Sequence, residues 1–389
     1  MQVTFVSNYI NHHQIPVSNE LYAQLGDKYH FVQTEPMEEE RVKMGWGDEV
    51  KELPYLLCYY EKPEECKKLI LQSDVVIFGG VEDEKYIAGR LEKGLFTIRY
   101  SERIYKEGQW KRISPRGLLK KYKDHIRYRN KEVYMLCAGG YVADDFNLIA
   151  AYPNKMMKWG YFPKTYSYDL EKLFAKKEQN RVPQLLWTGR MIDWKHPEYA
   201  VELAKKLKEK AYPFHLTLVG QGEMRPRLEQ MVKEYELKEQ VTLLNFMSPK
   251  EVRQKMEESD IYLMTSDRKE GWGVVVNEAM NAGCAVVASH MVGATPNLIC
   301  HEENGLVFQS GKTDSLIAET EKIINNSSYR KELGKNAYET IEKLWNPQVA
   351  AQRLLEFCKT KTTDAYAKGP CSREMPVREN KMYRKLVEK

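Results

Sequence analysis

Short apolar runs alternate with stretches of helical periodicity along most of the chain. Val3–Val6, Asp74–Phe78, Leu95–Ile98 and Val133–Leu136 predict buried strands in the first half. Gln184–Thr188, His215–Val219, Val241–Leu244, Ile261–Met264, Ala285–Ala288 and Gly305–Phe308 predict them in the second. Between them, Pro197–Lys210, Met224–Tyr235, Lys250–Ser259 and Val275–Ala282 repeat apolar positions at helical spacing. Runs without inward–outward alternation suit strands covered on both faces, and strand–helix alternation makes the sheets parallel. Ten strands are too many for one ordinary doubly wound sheet and suit two sheets of five or six.

The expected break falls between residues 155 and 182. Lys158-Trp-Gly-Tyr-Phe-Pro163 carries Gly and Pro, and the polar run 175–181 precedes the next strand. A second change comes at Trp345-Asn-Pro347, followed by a helical stretch at Val349–Phe357. The division is 1–163 and 164–347, with 348–389 packing back on the first domain. The polar, basic stretch 361–389 reads either as a disordered tail or as a helix lying on that domain.

The 389 residues agree with two or three domains. The net charge of +5 is too balanced for a protein that coats nucleic acid, so any basic surface is local. No apolar run reaches the roughly 18 residues a membrane span needs. The amino terminus lacks a charged segment followed by an apolar one and predicts a strand rather than a secretory signal. Cys58, Cys66, Cys137, Cys284, Cys300, Cys358 and Cys371 are scattered and odd in number, without a C-x-x-C pair. That predicts a reducing cytoplasm with neither a disulfide framework nor a zinc site.

Open parallel sheets bind ligands on the loops after their strands, and two such domains are expected to face each other across a cleft. In Trp187-Thr-Gly-Arg-Met-Ile-Asp-Trp-Lys-His-Pro197 a strand ends, Gly189 turns the chain, and Arg190 and Lys195 precede a helix opened by Pro197. Two cations beside a helix start make an anion site; solvated surface charge is the plainer alternative. Gly220-x-Gly222 after a strand resembles a dinucleotide fingerprint, but Arg225 stands at the third glycine position. This argues against a nucleotide-dependent oxidoreductase. In Glu270-Gly-Trp-Gly273-Val-Val-Val-Asn-Glu278, Gly271 and Gly273 allow close backbone approach to a ligand. The predicted helix start near Val274 favours a diphosphate by only about 0.3–2 kcal/mol, which leaves most charge compensation to Arg190 and Lys195. Glu278 is placed to accept from ribose hydroxyls and Glu270 to reach a sugar hydroxyl. Val292-Gly-Ala-Thr-Pro-Asn and Glu303-Asn-Gly305 complete the series and read equally as turns.

Taken together, Gly189-Arg190 with Lys195, Val219-Gly220-x-Gly222, Glu270-(seven residues)-Glu278-Ala-Met-x-Ala-Gly, Asn304-Gly-Leu-Val and Trp345 resemble the retaining GT-B glycosyltransferases of family 4 over roughly residues 182–356. The resemblance implies an α/β GT-B architecture, two Rossmann-like domains, with the carboxyl-terminal one binding a nucleoside-diphosphate sugar. It implies that Arg190 and Lys195 hold the diphosphate as leaving group, Glu270 the donor sugar and Glu278 the ribose. Backbone amides over Gly271, Trp272, Gly273, Val274 and Val275 would contact sugar and phosphate, with Gly189, Gly220 and Gly222 in the same donor site. No obligatory metal or other cofactor is implied. The expected reaction is transfer of a hexose-type sugar, such as that of a UDP-sugar, in cell-surface polysaccharide or glycolipid assembly. A GT-B epimerase or a non-catalytic nucleotide-sugar binder is the alternative.

The first half departs from the family pattern. Ser7-Asn-Tyr-Ile-Asn-His12-His13-Gln14 replaces a Gly-rich loop, and His13 is the catalytic candidate there by its position after the first strand. Thr97-Ile-Arg-Tyr-Ser-Glu102-Arg103 lacks the histidine many members carry, leaving Glu102 or Arg99 to fill that space. Residues 103–131 are dense in cations, with Leu118, Leu119, Tyr122 and Ile126 at near-helical spacing. They read either as a solvated surface or as a basic face resting on anionic lipid, near a carbohydrate or lipid-linked acceptor. The expected place of work is the cytoplasm, at or near the inner face of the membrane, with no nucleic-acid partner.

Overall fold

The computed structural model describes residues 1–39, 50 and 53–388. These residues form two compact units: 1–164 with 346–377, and 165–345 with 378–389.

The first unit holds a seven-stranded parallel sheet. Its strands are β1 (Val3–Ser7), β2 (Tyr29–Gln33), β3 (Leu56–Cys58), β4 (Val75–Gly79), β5 (Thr97–Ser101), β6 (Val133–Ala138) and β7 (Met156–Trp159). The order β3-β2-β1-β4-β5-β6-β7 places the topological switch between β1 and β4. The second unit holds β8 (Gln184–Thr188), β9 (His215–Val219), β10 (Val241–Leu244), β11 (Ile261–Met264), β12 (Ala285–Ser289) and β13 (Leu306–Phe308). Its order, β10-β9-β8-β11-β12-β13, switches between β8 and β11. All ladders are parallel, and both sheets are Rossmann-like. Helices cover the sheets as the periodicity predicts. Helix Pro197–Glu209, for example, buries Ala200, Val201, Leu203, Ala204 and Leu207 in the core of the second unit.

Three strands were not expected. β2 reads Tyr-His-Phe-Val-Gln, where polar residues break the apolar run, yet the Tyr29 ring is buried and its hydroxyl donates to Ser18 Oγ at 2.9 Å. β3 has three residues, and β7 carries a lysine. β5 begins two residues later than Leu95 and runs through Arg99, which is buried because it forms a two-pronged pair with Glu84 at 2.6 and 2.7 Å. Pairing hides that strand's charge from solvent but not from a pattern of polarity.

The terminal segment divides. Helix Pro347–Thr360 packs on helix Ile15–Leu25 of the first unit, with Phe357 against Tyr134 at 5.1 Å. Arg373 then bridges to Met157 beside β7. Helix Glu379–Val387 belongs instead to the second unit, where Met382 is buried, Glu379 pairs with Arg268, and the Tyr383 ring lies 5.3 Å from His290. The expectation that 348–389 lies entirely on the first domain is corrected accordingly, since an apolar stripe on the last helix finds its cover at β13. The basic stretch also divides. Arg103 is a buried brace, 3.2 Å from Asp145 and stacked over Tyr141 at 5.1 Å, so it is no part of a solvated surface.

Candidate donor site

In the second unit, the switch between β8 and β11 opens two loops at the carboxyl ends of adjacent strands. The loop after β8 carries Gly189, Arg190 and Lys195; the loop after β11 carries Asp267, Glu270, Gly271, Trp272 and Gly273. A sequence of hydrogen bonds joins them. Trp187 Nε1 on β8 donates to Thr265 Oγ1 at 2.8 Å, and that hydroxyl donates to the Lys195 carbonyl at 2.7 Å. Asp267 N donates to the Trp194 carbonyl at 2.9 Å. Lys195 Nζ then reaches Glu270 Oε2 at 2.7 Å, where Ser266 Oγ also donates at 3.0 Å. Two of the predicted site residues, Lys195 and Glu270, are therefore in direct contact. Both are mostly shielded from solvent, at 16% and 13% side-chain exposure, so their attraction is less screened than that of a surface pair. Arg190 is exposed on the same loop, and no ion pair with a described carboxylate occupies it.

Glu278 lies in the first turn of helix Val275–Asn281. Burial pushes its carboxyl up to about 7, against the pull of the Arg253 guanidinium. Arg253 is itself fixed by Tyr168, the Glu278 carbonyl and Asn281 at 2.9, 2.9 and 2.6 Å. The helix has only seven residues, so its terminus adds little to anion binding compared with the two cations.

The glycines act chiefly on backbone packing. A Cβ on Gly220 would lie 1.9 Å from the Gly189 carbonyl oxygen, and one on Gly222 would lie 2.3 Å from that of Met191. The pair thus lets the loop after β9 press on the loop after β8, where Met191 N donates to Gln221 O at 2.7 Å. Arg225, at the third position of the incomplete fingerprint, donates to Leu244 O at 2.9 Å and Leu243 O at 3.1 Å, bracing the end of β10. Gly293 packs in the same way on Gly271, whose carbonyl oxygen would be 1.8 Å from an added Cβ. The segment 292–295 is therefore more than a turn: it buttresses the loop after β11. Gly273 has φ +86°, which L side chains rarely adopt. The Trp272 indole is buried, donates to Asn277 at 2.8 Å and lies 5.9 Å from the Trp345 ring. What Trp272 can offer a ligand is its backbone, as for partly buried Val274 and Val275.

His196, next to Lys195, is a site residue that carries no signal in the sequence. Its ring meets Glu198 at 2.8 Å and Asp267 at 3.5 Å. Burial opposes the charged ring, but the bonds to Asp267 and Glu198 prevail and raise it to about 9. Only the fold brings Asp267 there, so no local pattern marked the residue.

His13 belongs to the first unit, in the loop after β1 at that sheet's own switch point. Its ring stacks on Tyr161 at 5.8 Å, and the Tyr161 hydroxyl donates to Glu102 Oε1 at 2.7 Å. Glu102 lies in the loop just after β5 and also pairs with Lys106, whereas Arg99 is committed to Glu84 inside the unit. His125 is half-buried beside Arg99 and bonds the Tyr152 hydroxyl at 2.7 Å. Burial and the neighbouring Arg99 hold its ring neutral, well below the ordinary histidine value.

Residues 169–340 match the family model of Glycosyl transferases group 1. The match contains Lys195, Arg190, Glu270 and Glu278 and leaves the first sheet outside. The amylovoran biosynthesis glycosyltransferase AmsK of Erwinia amylovora is 26% identical over 179 residues, 45% of this chain and 44% of its own. The alpha-D-kanosaminyltransferase of Streptomyces kanamyceticus is 27% identical over 155 residues, 40% of each chain. An uncharacterised glycosyltransferase of Methanocaldococcus jannaschii is 28% identical over 159 residues, 41% of this chain and 40% of its own. The chain thus spans well under half the length of the curated relatives it matches. Among solved structures, Anabaena HepE in complex with UDP superposes with a TM-score of 0.67 at 14% identity, covering 92% of this chain and all of that one. Sucrose-phosphate synthase of Thermosynechococcus elongatus superposes at 0.60 and 15% identity, covering 93% and 99%. The fold is GT-B, built from two Rossmann-like domains.

Proposed function

We propose that the chain is a retaining glycosyltransferase that moves a hexose-type sugar from a nucleoside diphosphate, a UDP-sugar in the first instance, to an acceptor hydroxyl. The observation that carries the reading is the Lys195–Glu270 contact at the switch point of the second sheet, with exposed Arg190 on the adjoining loop. Glu270 Oε2 receives both Lys195 and Ser266, which leaves Oε1 to accept from sugar hydroxyls. The Lys195 ammonium has three donors and gives one to Glu270, so the others can meet a phosphate oxygen. Arg190 offers a planar fork for the same diphosphate. Its exposure supports a ligand-binding role, as does the fixed backbone of Gly271, Trp272, Gly273, Val274 and Val275.

In the reaction the bond from the anomeric carbon to the diphosphate oxygen breaks, and a bond to the acceptor oxygen forms on the same face. The acceptor proton passes to a leaving phosphate oxygen. Positive charge grows on the sugar ring and negative charge on the diphosphate, where Arg190 and Lys195 lie. Glu278 would hold the ribose, and Gly189 belongs to the same donor site. The acceptor would be held by the first unit at its own strand-end loops, with His13 and Glu102 as its polar contacts. No metal or other cofactor is assigned to the step. Polysaccharide or glycolipid assembly on the cytoplasmic face of a membrane is the setting proposed, with a carbohydrate or lipid-linked acceptor and no nucleic acid. The name of AmsK, for amylovoran biosynthesis, supports the polysaccharide part of that setting.

The test is a thermal-shift panel of UDP, GDP, ADP, CMP and their sugars, followed by turnover with and without acceptors. A ligand at about 100 times its dissociation constant adds about 2.7 kcal/mol of stability. Stabilisation by no nucleoside diphosphate or its sugar would overturn the reading, and interconversion of the donor sugar without transfer would favour the epimerase alternative.

A further inference from the structure

We propose that residues 109–123 of the first unit form a docking surface for an anionic lipid bilayer, with Trp110, Ile113, Leu119 and Tyr122 entering the headgroup layer. The surface deepens the reading above, on which it rests for its purpose, while its geometry stands apart from the donor site.

The segment is the crossover from β5 to β6. Its 3-10 turn, Gln109–Ile113, and its helix, Pro115–Asp124, contain no buried residue. A ten-residue helix in a folded domain normally owes its stability to an apolar face set against the core. Here the apolar face looks outward. Trp110 is 69% exposed, Ile113 73%, Leu119 56% and Tyr122 53%; with Leu118 they make five of the ten large apolar side chains exposed among the described residues. The spacing groups them: Leu118 and Leu119 lie one turn from Tyr122, and Trp110 and Ile113 lie one 3-10 turn apart.

Charge selects the partner. Lys111, Arg112, Arg116, Lys120, Lys121 and Lys123 fall within the segment and no carboxylate does, whereas the whole chain carries only +5. The remainder is therefore net negative, and the positive field is local. Asp124, just outside, pairs with Lys120 at 2.8 Å. Nucleic acid would reward the cations and the two aromatic rings but leave Ile113 and Leu119 in water. A bilayer of anionic lipid satisfies all of them, with cations at the phosphates and apolar side chains at the acyl boundary.

The base of the segment is rigid. Asp145 pairs with Arg103 and accepts from Tyr105 N at 3.0 Å, and Asp144 accepts from Gln109 Nε2 at 2.8 Å. The chain is thus anchored up to residue 109, and the residues beyond it, through Asp124, include no buried one. Because β5 ends at Ser101, the segment begins at the carboxyl edge of the first sheet, the edge that also carries the His13 loop. A surface placed there would bring lipid headgroups toward the strand-end loops assigned to the acceptor.

The experiment is vesicle flotation of the full chain, with phosphatidylcholine alone and with about 30% phosphatidylglycerol, at about 100 mM salt. The expected result is flotation with the anionic vesicles only. A double substitution, Ile113→Glu with Leu119→Glu, should lower partition at least about tenfold while circular dichroism and nucleotide-sugar binding stay at wild-type values. Ile113→Ser with Leu119→Ser, which adds no charge, should weaken partition in the same direction. Wild-type protein that stays in solution, or glutamate variants that float as well as wild type, would overturn the proposal. So would tight duplex DNA binding that the glutamate variants retain while vesicle binding is absent. Vesicle binding without any nucleotide-sugar turnover would support this surface and sink the donor-site reading alone.

Discussion

Lys195 Nζ stands 2.7 Å from Glu270 Oε2 across 75 positions of sequence. The cation expected to hold a diphosphate is thus already engaged by the carboxylate expected to hold the sugar. The two act as one unit, and their substitution effects should not add. Glu270→Ala should largely abolish transfer while nucleotide affinity falls only modestly, because the freed ammonium still meets phosphate. Lys195→Ala should lower turnover by about 10²–10³-fold, as loss of a donor aimed at developing charge does. The double variant should be little worse than the poorer single one. Steady-state kinetics with a double-mutant cycle checks this, and independent, additive losses would separate the two residues.

Thr265 sits between Trp187 and the backbone of Lys195. Thr265→Val keeps the shape but removes both hydrogen bonds, leaving the buried indole N–H without its acceptor. The expected cost is about 1–3 kcal/mol of stability. Turnover should fall more than nucleotide affinity, because Lys195 loses its fixed position. Urea unfolding and a kcat-against-KM comparison test this; unchanged kcat would mean that Lys195 is held by other means.

Burial raises the Glu278 carboxyl from 4.5 to about 7. Between those values the folded chain holds a proton that the unfolded chain has lost, so stability falls as pH rises from about 4.5 to about 7 and this contribution is then flat. Glu278→Gln should remove that slope. If Glu278 accepts from ribose, nucleotide-sugar affinity should rise through pH 7 as the carboxylate forms, and the glutamine variant should lose the dependence. Affinity of the wild type that is level from pH 5.5 to 8.5 would remove Glu278 from the ribose site.

His196 works in a higher window. Its folded value is about 9 against an ordinary 6.5, with burial overcome by Asp267 and Glu198. The stabilisation is complete below about 6.5 and lost as pH rises through about 9. His196→Gln should be less stable than wild type at pH 6, and the difference should shrink by pH 9.5. Thermal melts at the two values decide it.

Gly293 meets the Gly271 carbonyl where a Cβ would stand only 1.8 Å away. Gly293→Ala must displace the loop that carries Glu270. An overpacking cost of about 1–3 kcal/mol is expected, together with weaker nucleotide-sugar binding. A melting temperature and affinity equal to wild type would show that segment 292–295 does not set the position of the loop after β11.

The sequence alone determined that the chain forms two parallel sheets and which strand-end loops are the candidates for donor binding, because those features are local. Ten strands announced themselves as apolar runs, and Arg190, Lys195 and Glu270 lie on the loops that follow strands, where a parallel sheet presents its ligands, with Glu278 in the first turn of the helix after β11. Polar strands such as β2, the buried Arg99 and the partner of His196 were not legible, since each owes its environment to residues far away in sequence. Tertiary structure decided that Gly220 and Gly222 serve loop packing, that the last helix covers β13, and that Lys195 is paired with Glu270. Those outcomes depend on distances between loops brought together by strand order, and no one-dimensional spacing encodes such distances.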